Sequence, residues 1–355
     1  MNAASSYTPL QIANIPIGLP VVQAALSGYS DWAMRVLARR MGAPYTLCEV
    51  LLDLLINEHS HFKKNAARVR VTPDEAPVGG QLMGANPEDF GPAAQRLVEL
   101  GFTIIDINFG CPVRKVMGRC RGGFHLSQPA VALEIVSRVR EALPPTVPVT
   151  LKMRRGIDDT SESRDKFYTI LDGAFARGAA AITVHGRTVK QGYIGPSRWE
   201  FLREVKQYVG SRTILGSGDL FTPEACVAMI RETGVDGVTA ARGAIGNPWI
   251  FEQCRALLEG RPLPAPPSLF EQRRVIGEHY ALADDLHGEM TSCRMMRKFG
   301  IKFARLHPEG LVVRDAFIAA RTRADIQAVF DRYYAEDLPG RHPTSDEVDE
   351  VQECG

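Results

Sequence analysis

A cysteine followed by a proline, in Asn108-Phe109-Gly110-Cys111-Pro112, is the first place in this chain where chemistry suggests itself. The thiol stands at the end of an apolar run rather than inside it. Alone, a cysteine is more often core than catalyst, and a lysine is usually a solvated charge. Here, however, polar residues recur at the end of one apolar run after another. Gln81 lies near the end of Val78–Met83, and Lys152 and Arg154 close the run after that of Cys111. His185-Gly186-Arg187, Ser217-Gly218-Asp219 and Arg242-Gly243 follow in turn. Six such ends in one chain point to a shared site. The glycines Gly216, Gly218, Gly243 and Gly246 allow backbone N–H groups to approach an anion, with Arg242 as a cation beside them. The alternative, that these glycines serve turns alone, stays open.

The elements that must position these residues are short. Apolar runs at Val21–Leu26, Tyr45–Val50, Val78–Met83, Thr103–Phe109, Val149–Met153, Ala181–His185, Thr213–Gly216 and Gly237–Ala241 read as strands buried on both faces. Helical patterns lie between them, among others at Pro87–Leu100, Pro129–Glu141, Ser163–Arg177, Pro223–Thr233 and Pro248–Leu258. Asn86-Pro87 and Thr222-Pro223 read as N-caps followed by proline at the first helical position. The alternation predicts a (β/α)₈ barrel over residues 1–259, with a doubly wound sheet as the competing arrangement. Polar residues at the C-terminal strand ends are where a barrel places its active site. A proline-rich linker at 260–268, a small helical domain at 269–338 and an acidic, disordered tail at 339–355 are expected to follow.

Composition excludes other classes. The 355 residues are 45% hydrophobic and 23% charged, which is ordinary globular usage. Net charge is +1, from 42 basic and 41 acidic residues, so no bulk field announces a nucleic acid. The total conceals an acidic tail: Arg341–Gly355 carries five acidic residues against one arginine, leaving 41 basic and 36 acidic residues elsewhere. Seven cysteines without a CxxC spacing argue against a disulfide scaffold and a metal site, and a reducing cytoplasm is expected. No signal peptide or membrane span is expected, because Leu10–Leu26 is interrupted by Gln11, Asn14, Pro16, Pro20 and Gln23 and no cation precedes Arg35.

Taken together, five blocks resemble the tRNA-dihydrouridine synthases, most of all their bacterial B-type. They are Gly80-Gln-Leu-Met-Gly84, Asp106-Ile-Asn-Phe-Gly-Cys-Pro112 with Arg114-Lys115-Val116 after it, Leu151-Lys-Met-Arg154, Thr183-Val-His-Gly-Arg-Thr188 and Gly246-Asn-Pro-Trp-Ile-Phe251. Arg294–Phe303 resembles the start of the family's C-terminal helical region, so the likeness spans roughly residues 20–335. It implies an FMN-dependent barrel that reduces the C5–C6 double bond of uridines in tRNA, with NADPH as electron source. Cys111 would then protonate C5 while reduced flavin delivers hydride to C6. A thiol with an ordinary pKa of about 8.5 is suited to that donation near neutral pH. Lys152 would stand beside the flavin, Gln81 at its pyrimidine edge and His185 near the ring. The resemblance places the flavin phosphate on backbone groups at Ser217-Gly218-Asp219 and Ala241-Arg242, and another cofactor contact at Ala25, Leu26 and Ser27. Asn108 matches a uracil contact, and Arg154 and Arg187 would lie on the substrate side.

Three departures from the family pattern stand out. Ala24-Ala25-Leu26 replaces Ala-Pro-Met, Ser217 replaces Asn, and Ala241 replaces Gly, adding a Cβ where phosphate would approach. The loop Arg119-Cys-Arg-Gly-Gly-Phe-His125 is also unusual for the family, and Cys120 there is a second thiol. A tRNA substrate requires cations for its phosphates. Arg114 and Lys115 flank Cys111, while Arg294, Arg297, Lys298, Lys302 and Arg305 follow helical spacing with no acid among them. A monomer is expected, since one domain must face a large polyanion. A small-molecule FMN reductase, a non-catalytic RNA-binding descendant and a Schiff-base lyase using Lys152 remain the competing functions.

Overall fold

The computed structural model describes residues 7–58 and 66–349. Eight parallel strands close into a barrel. They are β3 (Val21–Gln23), β4 (Thr46–Leu47), β6 (Val78–Met83), β7 (Ile104–Phe109), β8 (Val149–Arg154), β9 (Ala179–His185), β10 (Thr213–Ser217) and β11 (Gly237–Ala240). Closure comes from β11 pairing with β3 and β4 with β6, which removes the open edges of a doubly wound sheet.

The strand residues sort by face. Leu82, Ile105, Ile107, Leu151, Ile182, Val184 and Val238 point outward into one large core under the helices. Gln81, Asp106, Thr150, Lys152, Thr183 and Thr239 line the lumen. Both faces are buried, which is why the runs lack a polar–apolar alternation. Gly79 is required inside, because a Cβ there would collide with the Tyr45 hydroxyl.

Two features differ from expectation. First, Leu10–Ile12 (β1) and Ile15–Gly18 (β2) form an antiparallel hairpin ahead of the barrel. Leu10, Ile12 and Ile17 join Val22, Tyr45, Leu47 and Leu215 in a second apolar cluster that plugs the barrel floor. The apolar character of Leu10–Leu26 thus belongs to a plug and a strand. Second, the expected Tyr45–Val50 strand is cut short to β4, and another strand follows beyond its end. Thr46 and Leu47 pair with Val78 and Gly79, and a separate β5 (Leu51–Leu52) pairs with Leu82 and Met83. Between them the chain turns so that the Cys48 sulfur accepts the Gln81 N–H at 3.4 Å.

Helices flank the strands: α1 (Trp32–Arg40), α2 (Asp53–Asn57), α3 (Pro87–Glu99), α4 (Arg114–Met117), α5 (Pro129–Ala142), α6 (Ser161–Ala176), α7 (Trp199–Val209), α8 (Pro223–Thr233) and α9 (Ile250–Leu258). Thr222 caps α8 through its hydroxyl and the Ala225 N–H. Asn86 precedes Pro87, but its side chain bonds Asp89 rather than a backbone N–H.

The C-terminal region holds α10 (Leu269–His287), α11 (Glu289–Phe303), α12 (Gly310–Ala319), α13 (Arg323–Tyr333) and α14 (Ser345–Asp349). It shares one apolar core with the barrel. Polar ties add to this: Arg40–Glu278 at 2.6 Å, Arg70–Asp285 at 2.7 Å and His287–Asp31 at 3.0 Å. Within the described residues the tail departs from the disorder expected of it. Arg341 donates to the His307 carbonyl at 3.2 Å and pairs with Glu347 at 2.5 Å, and α14 packs against the turn Arg242–Ala244. Residues 350–355 lie outside the described residues. Among the described residues, no helix is long and apolar enough to cross a membrane.

Candidate active site

The site is built from strand ends at the mouth of the barrel. β7 delivers Asn108 and then breaks into a turn whose geometry Asn108 holds. Its Oδ1 accepts the N–H groups of Gly110 at 2.9 Å and Cys111 at 3.0 Å. Cys111 thereby emerges at the rim, half-buried, with Gly122 packed against its Cβ. Burial pushes its pKa up, and the Val113 N–H and Arg154 offset this only in part. The thiol is therefore protonated at neutral pH.

Behind Asn108 runs a chain of side chains across the lumen. Asn108 Nδ2 donates to Gln81 Oε1 at 2.8 Å, and Gln81 Nε2 donates to Asp106 Oδ2 at 2.7 Å. The Thr150 hydroxyl donates to Asp106 Oδ1 at 2.6 Å. Among the described residues, each amide keeps one N–H without a protein acceptor. Lys152, on the next strand, reaches the Ser217 hydroxyl at 3.5 Å. Burial, together with the Arg154 guanidinium, pushes the Lys152 ammonium down to about 8 while Asp106 pulls it back up. Lys152, Gln81 and Ala25 line one cavity.

His185 ends β9. Burial and the positive field of Lys152, Arg154, Arg187 and Arg242 hold its pKa well below the usual value, so the ring is neutral. Its Nδ1 accepts the Arg187 N–H at 3.1 Å, which puts the proton on Nε2 as a donor. On the last two strands, Asp219 sits at φ +59° and accepts from Arg187 at 2.7 Å and from the Ser197 N–H at 2.7 Å. Arg242 lies 3.9 Å from Asp219, with its guanidinium over the Phe221 ring at 4.6 Å. Among the described residues, the N–H groups of Gly218 and Asp219 have no protein acceptor, and Arg187 Nη1 is buried without a partner. An anion could take up these donors.

The glycines around them answer mainly to packing. A Cβ on Gly218 would collide with the Ser197 hydroxyl, one on Gly243 with the Leu220 carbonyl, and one on Gly246 with the Lys302 backbone. Ala241 adopts φ −107° and ψ −98°, so its φ lies outside the left-handed region that favours glycine.

Residues 22–335 match the family model described as dihydrouridine synthase (Dus). A probable tRNA-dihydrouridine synthase of Mycobacterium tuberculosis strain H37Rv is 32% identical over 91% of this chain and 84% of its own length. The tRNA-dihydrouridine synthase B of Pseudomonas aeruginosa is 35% identical over 80% of this chain and 83% of its own. The chain belongs to the dihydrouridine synthase family. That makes it an oxidoreductase. Among solved structures, a morphinone reductase in complex with tetrahydroNAD aligns with TM-score 0.54 at 15% identity, covering 74% of this chain and 93% of its own. A histamine dehydrogenase from Rhizobium sp. 4-9 aligns with TM-score 0.55 at 14% identity, over 78% of this chain and 51% of its own. These two share the barrel fold.

Several residues expected to meet RNA are placed differently. Arg154 is buried and donates to the carbonyls of Gly110 at 3.0 Å, Thr188 at 2.8 Å and Gly192 at 2.5 Å. Arg187, also buried, bonds the Gly195 carbonyl and Asp219. Both hold the rim loops together. Lys302 is buried where α11 meets the Gly246 turn. Lys298 bonds the Gly28 carbonyl at 3.0 Å and lies over the Tyr29 ring. The helical spacing is real, but one side of α11 faces the barrel, so the five cations do not form one solvent face. Arg294 and Lys298 are exposed and Arg297 is half-buried. Arg114, Lys115 and Arg119 are exposed beside Cys111. Lys115, Arg119 and Arg121, with Arg68, Ser27, Gly28 and others, line a cleft of about 290 Å³.

Sequence reasoning missed Asp106 and Thr150. The available signal was an acid inside the apolar run Thr103–Phe109, two residues before Asn108 and hence on the same inward face.

Proposed function

We propose that this chain reduces the C5–C6 double bond of uridines in tRNA to dihydrouridine, using bound FMN and NADPH. One observation carries this reading most directly. A protonated thiol at the end of β7 faces the same mouth as a buried lysine, a neutral histidine and two free amide N–H groups. That set fits a flavin. Gln81 and Asn108 each offer an N–H to a carbonyl, Lys152 offers a cation to the anionic reduced ring, and His185 offers its Nε2–H. Ala25, Leu26 and Ser27 close the adjoining strand end. The unpartnered N–H groups of Gly218 and Asp219, the free Arg187 Nη1 and the Arg242 guanidinium fit the phosphate, next to Ser217 and Ala241.

When bound, the flavin supplies the hydride that reaches C6. The rest falls to the chain. Asn108 fixes the Cys111 turn, and Cys111 donates its Sγ proton to C5. Its raised pKa keeps that proton in place until transfer. Solvent at the rim then returns a proton to the thiolate. Arg154 holds the loops that close over the site. Arg114, Lys115 and Arg119 meet phosphates flanking the target uridine, with Arg294, Arg297 and Lys298 as a second contact farther along the RNA.

The visible spectrum of purified protein, followed by nucleoside analysis of tRNA from cells carrying wild-type or Cys111→Ala protein, tests the assignment. Flavin absorption with loss of one dihydrouridine in the variant is the expected result. A colourless protein that FMN does not reconstitute, or unchanged dihydrouridine, overturns it.

A further inference from the structure

The chain of hydrogen bonds behind Cys111 has a direction, and both of its ends require the same one. The near end consists of two backbone N–H groups, Gly110 and Cys111, which require an acceptor. Asn108 therefore turns its oxygen to them and its NH₂ group away. That NH₂ meets the Gln81 oxygen, so the Gln81 NH₂ must point onward to Asp106. Burial pushes the Asp106 carboxyl up, and the bonds from Thr150 and Gln81 and the charge of Lys152 offset this in part; with both oxygens accepting, Asp106 ends the chain in the one polarity that satisfies the loop. Thr150 fills its other oxygen. All three supporting side chains, Gln81, Asp106 and Thr150, are buried. Water therefore offers no substitute partner if a link is lost.

We propose that Asp106 is a positioning residue: its carboxylate sets the orientation of Gln81 and Asn108 and thereby pins the turn that presents Cys111. The same orientation decides what the mouth displays. With both oxygens engaged inward, Gln81 and Asn108 present only N–H donors to a ligand. Carbonyl edges are matched and N–H edges are refused. This deepens the proposed function and rests on it only where activity is measured.

Two substitutions separate polarity from charge. Asp106→Asn keeps an oxygen for Gln81 and offers an NH₂ to the Thr150 hydroxyl, so the direction survives without the charge. Asp106→Leu removes the terminus. The first readout is alkylation of Cys111 by iodoacetamide, followed by peptide mass spectrometry, with the exposed Cys120 on the same loop as internal reference. The second is transient kinetics of the holoenzyme, separating reduction of the flavin by NADPH from its reoxidation by tRNA.

Asp106→Leu is expected to raise Cys111 alkylation relative to Cys120 about tenfold. It should slow reoxidation by tRNA about tenfold. Asp106→Asn keeps the alkylation ratio within about twofold of wild type. An unchanged alkylation ratio in Asp106→Leu, unchanged reoxidation by tRNA, or Asp106→Asn matching Asp106→Leu overturns the proposal. Should Asp106→Leu not fold, Gln81→Leu carries the same test by removing the link between Asp106 and Asn108. An unchanged Cys111 ratio there also overturns it. Alkylation requires neither flavin nor RNA. A protein that shifts its alkylation ratio but never makes dihydrouridine would sink the functional reading and support the relay.

Discussion

At the floor of the barrel, Leu10 and Ile12 of the hairpin press against Val22, Tyr45, Leu47 and Leu215. At the mouth, a few residues farther along the same sheet, Gln81, Asp106, Thr150 and Asn108 are linked atom to atom. Apolar contact is undirected and roughly proportional to area, so the floor tolerates exchange of one aliphatic side chain for another. Hydrogen bonding is directional, and a buried donor left unpaired is costly. The floor therefore carries stability and the mouth carries geometry.

The sharpest contrast is at Cys111. Cys111→Ala is expected to lower uridine reduction by about 10²–10⁴, the usual worth of a positioned acid, with no change in midpoint of thermal unfolding. A large loss of stability there would erase the distinction. The reciprocal change is Ile12→Ala. Removing this buried side chain should cost about 2–5 kcal/mol in denaturant unfolding, with activity per folded molecule unchanged. Equal losses in both assays would break the comparison from the other side.

A smaller effect concerns pH. Lys152 has its folded pKa depressed to about 8 from the ordinary lysine value of 10.5. Its ammonium is lost as pH rises through 8, so cofactor reduction should fall on the alkaline side with a midpoint near there, and Lys152→Met should abolish that limb. For stability the sign is reversed. The penalty of the buried cation is full below pH 8 and fades as pH rises toward 10.5, so wild type gains stability over that window. The Lys152→Met variant should lack that gain in chemical denaturation at stepped pH.

The smallest expected effect separates the basic residues. Replacing Arg114, Lys115 and Arg119 together by alanine should reduce the salt slope of tRNA binding by roughly 0.7–0.9 for each phosphate left without its cation. Lys302→Ala, inside the interface, should leave the slope unchanged. A shifted slope for Lys302→Ala would return it to the RNA surface.

The barrel was legible because buried parallel strands are continuous apolar runs, and seven of the eight expected runs appear as single strands. The exception, Tyr45–Val50, is apolar throughout except for Thr46 and Glu49, and its break is imposed by pairing with β6 rather than by any turn residue. The hairpin plug was hidden because Leu10–Gly18 is short and its partner surface is the lumen, which no local pattern reveals. At the mouth, Cys111, Lys152, Gln81 and His185 were readable as strand-end polar residues. The destinations of Arg154, Arg187 and Lys302 were not, since a charge count does not say which side of a helix or loop meets another body. Asp106 was concealed for the same reason: a carboxylate inside an apolar run looks like an interruption until its partners on β6 and β8 are known.

The shortening of the second strand has a mechanical consequence. A ring of eight staves is stiff where each is laced along its length to its neighbours. Here β4 is tied to β3 by the single register pair Gln23–Thr46, whereas β7 and β8 are laced from Ile105–Val149 to Phe109–Met153. The barrel is thus a cylinder with one loosely sewn seam. That seam is bridged outside the ladder, where the Gly28 N–H donates to the Glu49 carboxylate and the Glu49 N–H to the Ser30 carbonyl at 3.2 Å, on the wall of the cleft that also holds Lys115 and Arg119. The wall that holds Cys111 is the tightly laced one.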